Sequence, residues 1–538
     1  MLEQQTITSV WMLSREYGYM AGAGGVKDVV SQLATALASD RGRKVTVVLP
    51  RYGFMEPTKL GFSRLADPLD PDRLLEFDVV MDYTDLERQE RVGVWHQVVD
   101  KVHIYLLEAK RFLEKNGVYT YTREEYQHES WKVQGVGHID YFAMNILLQK
   151  GGLDLIMLLD ERPQIIHCHD GHTGVAPAII RECSGYRNYF RNTAAVLSIH
   201  NAGSGYHQEV SDLPFVRAIT GLPWRVINNS TLEHSFDPFL AAAPYATITT
   251  VSENYAHELQ DTDADYLTGW LGHRLLDSGV TITGITNGVD PAEFDPANYT
   301  QMGLVAGFDV GDESDDLGGK GACKEALFNA LAGPADTEED RLGFLTQDST
   351  VPLYTFIGRL SEQKGVDILI EAIGLFLEET REAAFVCLGD GGEDLEEALA
   401  AVAHDERFLG RVCFLRGFDP KLANRVYAAG DFFIIPSRYE PCGLTDYIAQ
   451  LFGNLPIVHY IGGLVKVVDN KTGFTYQENS PENLNKVMRR AGEVFLDPTR
   501  IREMQLAAVN KIKQYHTWNL VMQSYVQLYQ KSWAGGPV

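Results

Sequence analysis

The chain has 538 residues, too many for one hydrophobic core, so two or more domains are expected. Its 45% apolar content is that of an ordinary globular protein, and no run approaches the length of a membrane helix. A net charge of −26 argues against nucleic acid and anionic membrane as main partners, because both require basic surface; an anionic substrate would need a locally basic pocket. The six cysteines, Cys168, Cys183, Cys323, Cys387, Cys413 and Cys442, show no Cys-x-x-Cys or zinc spacing. Several lie in strand-like apolar runs as buried reduced thiols would. No signal-peptide pattern opens the chain, so a reducing cytoplasm is expected.

Ser9 to Leu13 reads as a buried strand. Glycines follow at Gly18, Gly22, Gly24 and Gly25, and then a helix whose apolar positions Val26, Val29, Val30, Leu33 and Leu37 recur at helical spacing. Val45 to Leu49 is the next strand, which completes a βαβ unit. A glycine loop opening a helix suits a phosphate or sugar oxygen, because amide N–H groups point outward and no side chain blocks approach. A tight turn is the alternative reading of the same glycines. Residues 51–151 are rich in tyrosine and charge, with strand-like segments at Phe77–Met81, Val92–Val98 and His103–Leu107, and suggest a small added sheet or flap.

Ile165 to Cys168 is a strand that ends in His167-Cys168-His169-Asp170-Gly171-His172. The histidines and aspartate invite a metal reading. Strand alternation, however, sends His167 and His169 to one face and Asp170 elsewhere, whereas zinc needs ligands that converge on one point. Ala194 to Ile199 ends in His200-Asn201, with Gly203 and Gly205 following. The carboxyl end of a parallel strand is where open α/β sheets bind ligands. Thr247–Ser252 and Thr281–Asn287 give two more strands.

Composition then shifts. Asp309 to Asp316 and Pro334 to Asp340 are acidic, with a helix between them near Lys324–Leu331, and mark a boundary. The βαβ pattern restarts at Leu353–Ile357, followed by Gly358-Arg359-Leu360-Ser361-Glu362-Gln363-Lys364-Gly365 and a helix burying Val366, Leu369, Ile370 and Ile373. Arg359 and Lys364 straddle a loop at a helix N-terminus, an arrangement suited to a diphosphate. Ala384–Leu388 and Val412–Leu415 follow, the latter leading to Gly417-Phe418. Phe432–Ile435 precedes a turn at Ser437–Cys442 that holds Arg438 and Glu440. Leu455–Val458 is succeeded by Gly462-Gly463. Helical runs at Leu484–Phe495 and Ile501–Tyr515 lead to an aromatic-rich helix with Trp518, Tyr525 and Tyr529.

The string Ser437-Arg438-Tyr439-Glu440-Pro441-Cys442-Gly443-Leu444-Thr445 resembles the sugar-nucleotide site of the glycogen and starch synthases, retaining glycosyltransferases of the two-domain B-type fold. Arg359 to Gly365 resembles their Arg-Leu-x-x-Gln-Lys-Gly, Gly22 to Val29 their Lys-x-Gly-Gly-Leu-x-Asp-Val, and His167 to His172 their His-x-His-Asp-Trp-His. Asn287-Gly288-Val289-Asp290 matches as well. Two positions depart: Gly22 stands where the family has lysine, and Gly171 where it has tryptophan.

The resemblance implies an α/β protein of two Rossmann-like domains facing a deep cleft. An acceptor-side domain would span 1–290, a boundary or hinge 291–350, a nucleotide-sugar-binding domain 351–514, and a terminal helix 515–538 would return to the first domain. It implies transfer of glucose from ADP-glucose to the non-reducing end of an α-1,4-glucan with retained configuration. Asp170, His200, Arg359, Lys364 and Glu440 would be catalytic. Gly24, Gly25, Asp28, Asn287, Phe418, Cys442, Gly443, Leu444 and Thr445 would bind the donor. No metal or cofactor is expected. Two other readings stay open: a related transferase with UDP-glucose, another donor or a small acceptor, and a non-catalytic glucan-binding relative.

Overall fold

The computed structural model describes residues 6–203, 205–334, 340–417 and 419–535. It divides into two compact units. One comprises the chain up to Asn287 together with the segment from Trp518 onward, and the other Gly288–Thr517.

The first unit is built on a sheet of ten strands among the described residues. Its centre is Ser9–Leu13, whose apolar side chains are buried on both faces, as a central parallel strand requires. To one side lie Lys44–Pro50 and Val102–Glu108; to the other lie Ile165–His169, Ala194–Ile199, Thr247–Thr250 and Thr283–Gly284, all parallel. The order of strands therefore reverses between Ser9–Leu13 and Ile165–His169. At such a switch point the loops leave in opposite directions and open a crevice. The segment read as a flap is continuous with this sheet: Gln89–Val99 pairs antiparallel with both Val102–Glu108 and Glu76–Val80. Asp100 and Lys101 turn between two of these strands with positive φ at both residues, a conformation matched to strand twist.

Helix Tyr141–Leu158 lies within the stretch that sequence patterning leaves unassigned. It is buried on nearly every side, so it has no polar face to reveal a helical period. The terminal helix Trp518–Ala534 packs in this unit, where Tyr529 Oη lies 2.8 Å from His167 Nδ1 and Thr247 Oγ1 donates to Ser532 Oγ at 3.0 Å. Among the described residues no helix is long and apolar enough to cross a membrane.

The second unit is a seven-stranded sheet in the order Arg341–Gly343, Val412–Arg416, Ala384–Gly389, Leu353–Ile357, Phe432–Ile435, Leu455–His459, Phe474–Tyr476. All pairs are parallel except the first. Apolar clusters cover both faces. Its switch point falls between Leu353–Ile357 and Phe432–Ile435. The described residues between 291 and 350 belong to this unit. Helix Gly318–Ala330 begins earlier than its apolar pattern suggests, because Lys320 is buried and donates to the carbonyls of Ala428, Gly430 and Phe452. Lys324 pairs with Asp431 at 2.6 Å.

Candidate active site

Each switch point carries part of the expected constellation. In the second unit, the chain leaves Ile357 through Gly358–Gly365 into helix Val366–Glu379, and leaves Ile435 through Pro436–Leu444 into helix Thr445–Leu451. Arg438 N–H donates to the Gln363 carbonyl at 2.8 Å and ties the two loops together. Lys364 Nζ then meets Glu440 Oε2 at 2.6 Å, and Ser437 Oγ donates to the same oxygen at 2.9 Å. Both bonds fall on Oε2, which leaves Oε1 for a ligand hydroxyl. Glu440 is buried, Lys364 is about one-third exposed, and Arg359 is exposed.

The glycine pair supports this loop from below: Gly463 N–H donates to the Glu440 carbonyl at 2.9 Å. Lys466 is the residue that sequence reading missed. Its buried ammonium donates to the carbonyls of Cys442, Gly443 and Gly463 and pairs with Asp446 Oδ1 at 3.0 Å. Burial pushes the Asp446 carboxyl up to about 6, against the opposing pull of Lys466. Cys442, Gly443 and Leu444 are thereby fixed ahead of Thr445, the first residue of its helix. The available signal was a lone lysine in the apolar run Gly462–Val468. Arg438, by contrast, turns to Asp367.

In the first unit, Asp170 follows strand Ile165–His169 with φ of +58°, a left-handed conformation that aspartate tolerates better than most residues. Its Oδ1 accepts the N–H of His200 at 2.6 Å and of Asn201 at 3.4 Å. Burial raises its carboxyl to about 7; the two N–H groups oppose the shift and the Glu16 charge adds to it. His200 Nε2 lies 2.9 Å from His169 Nδ1, and burial lowers the His200 imidazole to about 4, so it is neutral at physiological pH. Asp170, His200 and Asn201 are therefore brought together.

Glu16 was another residue not singled out. Its Oε2 accepts the N–H groups of Ala23 and Gly24 at 2.7 and 3.0 Å, and its Oε1 accepts Tyr119 Oη–H at 2.6 Å. The Gly24 amide, expected to face a donor, is thus engaged by Glu16. Gly25 caps helix Val26–Ser39 without a side-chain bond, and the Asp28 carboxylate is held by Lys27. Asn287 is buried, and no hydrogen bond joins it to Asp170 or His200 among the described residues. Phe418 lies outside the described residues. No cluster of His, Cys, Asp or Glu among the described residues could hold a metal ion. His167 and His169 do share one face, with ring centroids 4.2 Å apart.

The two departures have local causes. A β-carbon at Gly171 would lie 2.3 Å from the His207 carbonyl oxygen, so the backbone of the following loop occupies the place of a larger residue. His207 is itself locked, with Nδ1 2.6 Å from Asp237 and Nε2 2.8 Å from the Ala202 carbonyl. At Gly22 the obstacle is a side chain: a β-carbon there would lie 2.2 Å from Lys27 Cδ.

Comparison with known proteins places this architecture. Residues 9–273 match the starch synthase catalytic domain, and residues 351–492 match glycosyl transferases group 1. A glycogen synthase of Anaeromyxobacter sp. (strain Fw109-5) is 31% identical over 97% of this chain and 98% of the relative. This chain belongs to the glycogen synthase family. Glycogen synthase 2 of Geobacter sulfurreducens is 28% identical over 94% of this chain and 96% of its own length. The catalytic domain of starch synthase IV from Arabidopsis thaliana, solved with ADP and acarbose, superposes with a TM-score of 0.76 at 25% identity, covering 98% of this chain and all of that one. Sucrose-phosphate synthase from Thermosynechococcus elongatus shares the fold at a TM-score of 0.54 and 16% identity. The chain is a glycosyltransferase of the hexosyl-transferring class, with the B-type fold of its family.

Proposed function

We propose that this glycogen synthase relative transfers glucose from ADP-glucose to the non-reducing end of an α-1,4-glucan, with retention at C1. The observation that carries the reading is the Lys364–Glu440 bond at the second unit's switch point, with Arg359 beside it in sequence on the same loop. Breaking the bond between C1 and the diphosphate leaves negative charge on phosphate and positive charge on the sugar. Arg359 and Lys364 would stabilise the leaving diphosphate, the kind of electrostatic effect that is usually the largest in catalysis. Glu440 would hold sugar hydroxyls through Oε1. Neutral His200 and Asp170 would bind the glucosyl group. The acceptor hydroxyl would add to the face the diphosphate leaves, and a phosphate oxygen of the leaving group would take its proton. With two cations on the diphosphate, the reading assigns no step to a metal ion.

The relatives' names support the glucan, and the ADP bound by the Arabidopsis enzyme supports the base. A reducing cytoplasm suits the six cysteines, all of which remain thiols. Gly22 and Gly171 favour one second reading, a related transferase with a different donor or a small acceptor.

The test is release of nucleoside diphosphate from ADP-glucose and from UDP-glucose, each with and without glycogen, in buffer containing EDTA. Glycogen-dependent ADP release is the expected result. Preference for UDP-glucose would change the donor but keep the class. Release from neither, with glucan still bound, would transfer the weight to another donor or to a non-catalytic glucan-binding relative.

A further inference from the structure

Gly22 and Lys27 occupy one space. Besides the 2.2 Å approach to Cδ, a β-carbon at position 22 would sit 3.0 Å from both Cβ and Cγ of Lys27. The stem of Lys27 therefore lies across the α-carbon of Gly22. Helix geometry accounts for the direction: Lys27 is the second residue of helix Val26–Ser39, and side chains in a helix tilt toward its N-terminus. The missing side chain at position 22 gives the stem room to lie over the glycine loop.

The charge then has few places to go. Between Gly18 and Val26 there is no lysine or arginine. Arg15 is buried, and its guanidinium is spent on Tyr52 Oη, Asn145 Oδ1 and the Val118 carbonyl. The Glu16 carboxylate is spent on the loop's own amides and on Tyr119. Lys27 is the loop's solvent-accessible cation, with its side chain 37% exposed. Its partner is Asp28, the next residue, at 2.9 and 3.1 Å and 30% exposed. An exposed pair of this kind is worth about 0–1 kcal/mol, so an anionic ligand can displace it at little cost.

We propose that Lys27 is a substrate-binding residue of this enzyme: its ammonium leaves Asp28 and binds the diphosphate of the donor, in the space that glycine at position 22 leaves open. The inference rests on the donor reading above. It pairs two positions: Gly22 is the residue that lets a lysine from the helix serve the loop.

The experiment measures donor KM and kcat at saturating glycogen, together with ADP affinity by calorimetry, for the intact chain and three variants. Lys27→Met keeps the stem and removes the charge; donor KM and the Kd for ADP should rise roughly 10- to 100-fold, the range for losing a hydrogen bond to a charged group. Gly22→Ala should push the stem aside and raise donor KM with little change in Tm. The exchange Gly22→Lys with Lys27→Val moves the ammonium to the loop and should recover most of the loss. Unchanged KM and ADP affinity in Lys27→Met, beside an active wild type, would overturn the assignment of Lys27 alone. A wild type that neither turns over a nucleotide-glucose nor binds ADP would overturn the donor reading and this inference with it.

Discussion

In the second unit Lys364 and Glu440 are bonded directly to each other, side chain to side chain, across the switch point. In the first unit Asp170 and His200 are held by other means: Asp170 by two backbone N–H groups, His200 by the ring of His169. The first arrangement is a pair of opposite charges that, on the proposed function, would exchange partners when an anion and a sugar arrive. The second is a set of buried groups whose positions are settled before any ligand binds, and burial keeps His200 neutral. The difference teaches where each term of the reaction is handled. On the proposed function, charge would be met by the exchangeable groups Arg359 and Lys364, and shape by the rigid ones. Of the two departures, Gly171 falls among the rigid groups, whereas Gly22 removes a charge from the first unit's loop, where Lys27 is now the exposed cation; the charged string of the second unit is intact.

The comparison is broken most severely at the charged pair. Lys364→Ala or Glu440→Gln should lower kcat by about 10³-fold, the loss expected for a preorganised electrostatic group. Tm should move little, because Lys364 is partly exposed and Ser437 still reaches the remaining oxygen. Steady-state rates and thermal melts of the same preparations check this. Near-normal turnover in both variants would sink the site assignment.

Next in size is Lys466→Met. It removes an ammonium that three carbonyls and Asp446 share in the interior. Leaving one member of a buried pair alone costs about 3–5 kcal/mol. The loss should depend on pH. Asp446 without its lysine folds best protonated, whereas in the unfolded chain it ionises at its ordinary value of 3.8. The penalty should therefore be smaller at pH 5 than at pH 8. Denaturant melts of variant and wild type at the two pH values measure it; an equal loss at both would mean that the carbonyl bonds, not the ion pair, carry the effect.

These groups also show what the sequence could and could not disclose. Strand ends were legible because buried parallel strands are short apolar runs, and Asp170, His200, Arg359, Lys364 and Glu440 all follow such runs. Lys466 and Glu16 were not legible, since each acts on backbone atoms of a loop 7–24 residues away in sequence and no local pattern marks such a contact. Helix Tyr141–Leu158 was hidden by its own burial, which erases the polar face that makes a period visible. At Gly22 the sequence offered Lys27 only as a neighbour five residues on; the fold laid its stem over the glycine.

The rigid side of the comparison is sharpened by Asp170→Asn. The Asp170 carboxyl sits at about 7 in the fold against 3.8 ordinarily, raised by burial. A raised folded value favours the protonated form, so this group's contribution to stability is full below about pH 4 and is lost as pH climbs toward 7. Asparagine keeps the shape and cannot ionise. The variant should be no less stable than wild type at pH 8, and its advantage should vanish near pH 4. If the ionised carboxylate is the form that binds sugar hydroxyls, wild-type kcat should climb about tenfold between pH 6 and 8, and the variant should lack that rise. A pH–rate profile of both proteins decides it; the same rise in the variant would assign it to another group.

The smallest effect is expected at Arg438, although it lies inside the same string as Glu440. Its guanidinium donates to both oxygens of Asp367 at 2.7 and 2.5 Å and to the Glu362 carbonyl at 2.6 Å, and both side chains of the pair are 38% exposed. The bond pulls Asp367 below the usual carboxylate range. Solvent screens such a pair, so Arg438→Ala should cost no more than about 1 kcal/mol of stability, and less at high salt. The link between the two loops that matters for Lys364 is made by the Arg438 backbone N–H to Gln363, which alanine retains. Turnover should therefore stay within about threefold of wild type, well under one kcal/mol in barrier height. A loss as large as that of Glu440→Gln would show that the guanidinium leaves Asp367 during the reaction, and would move Arg438 from the supporting bonds of this loop into its exchangeable charges.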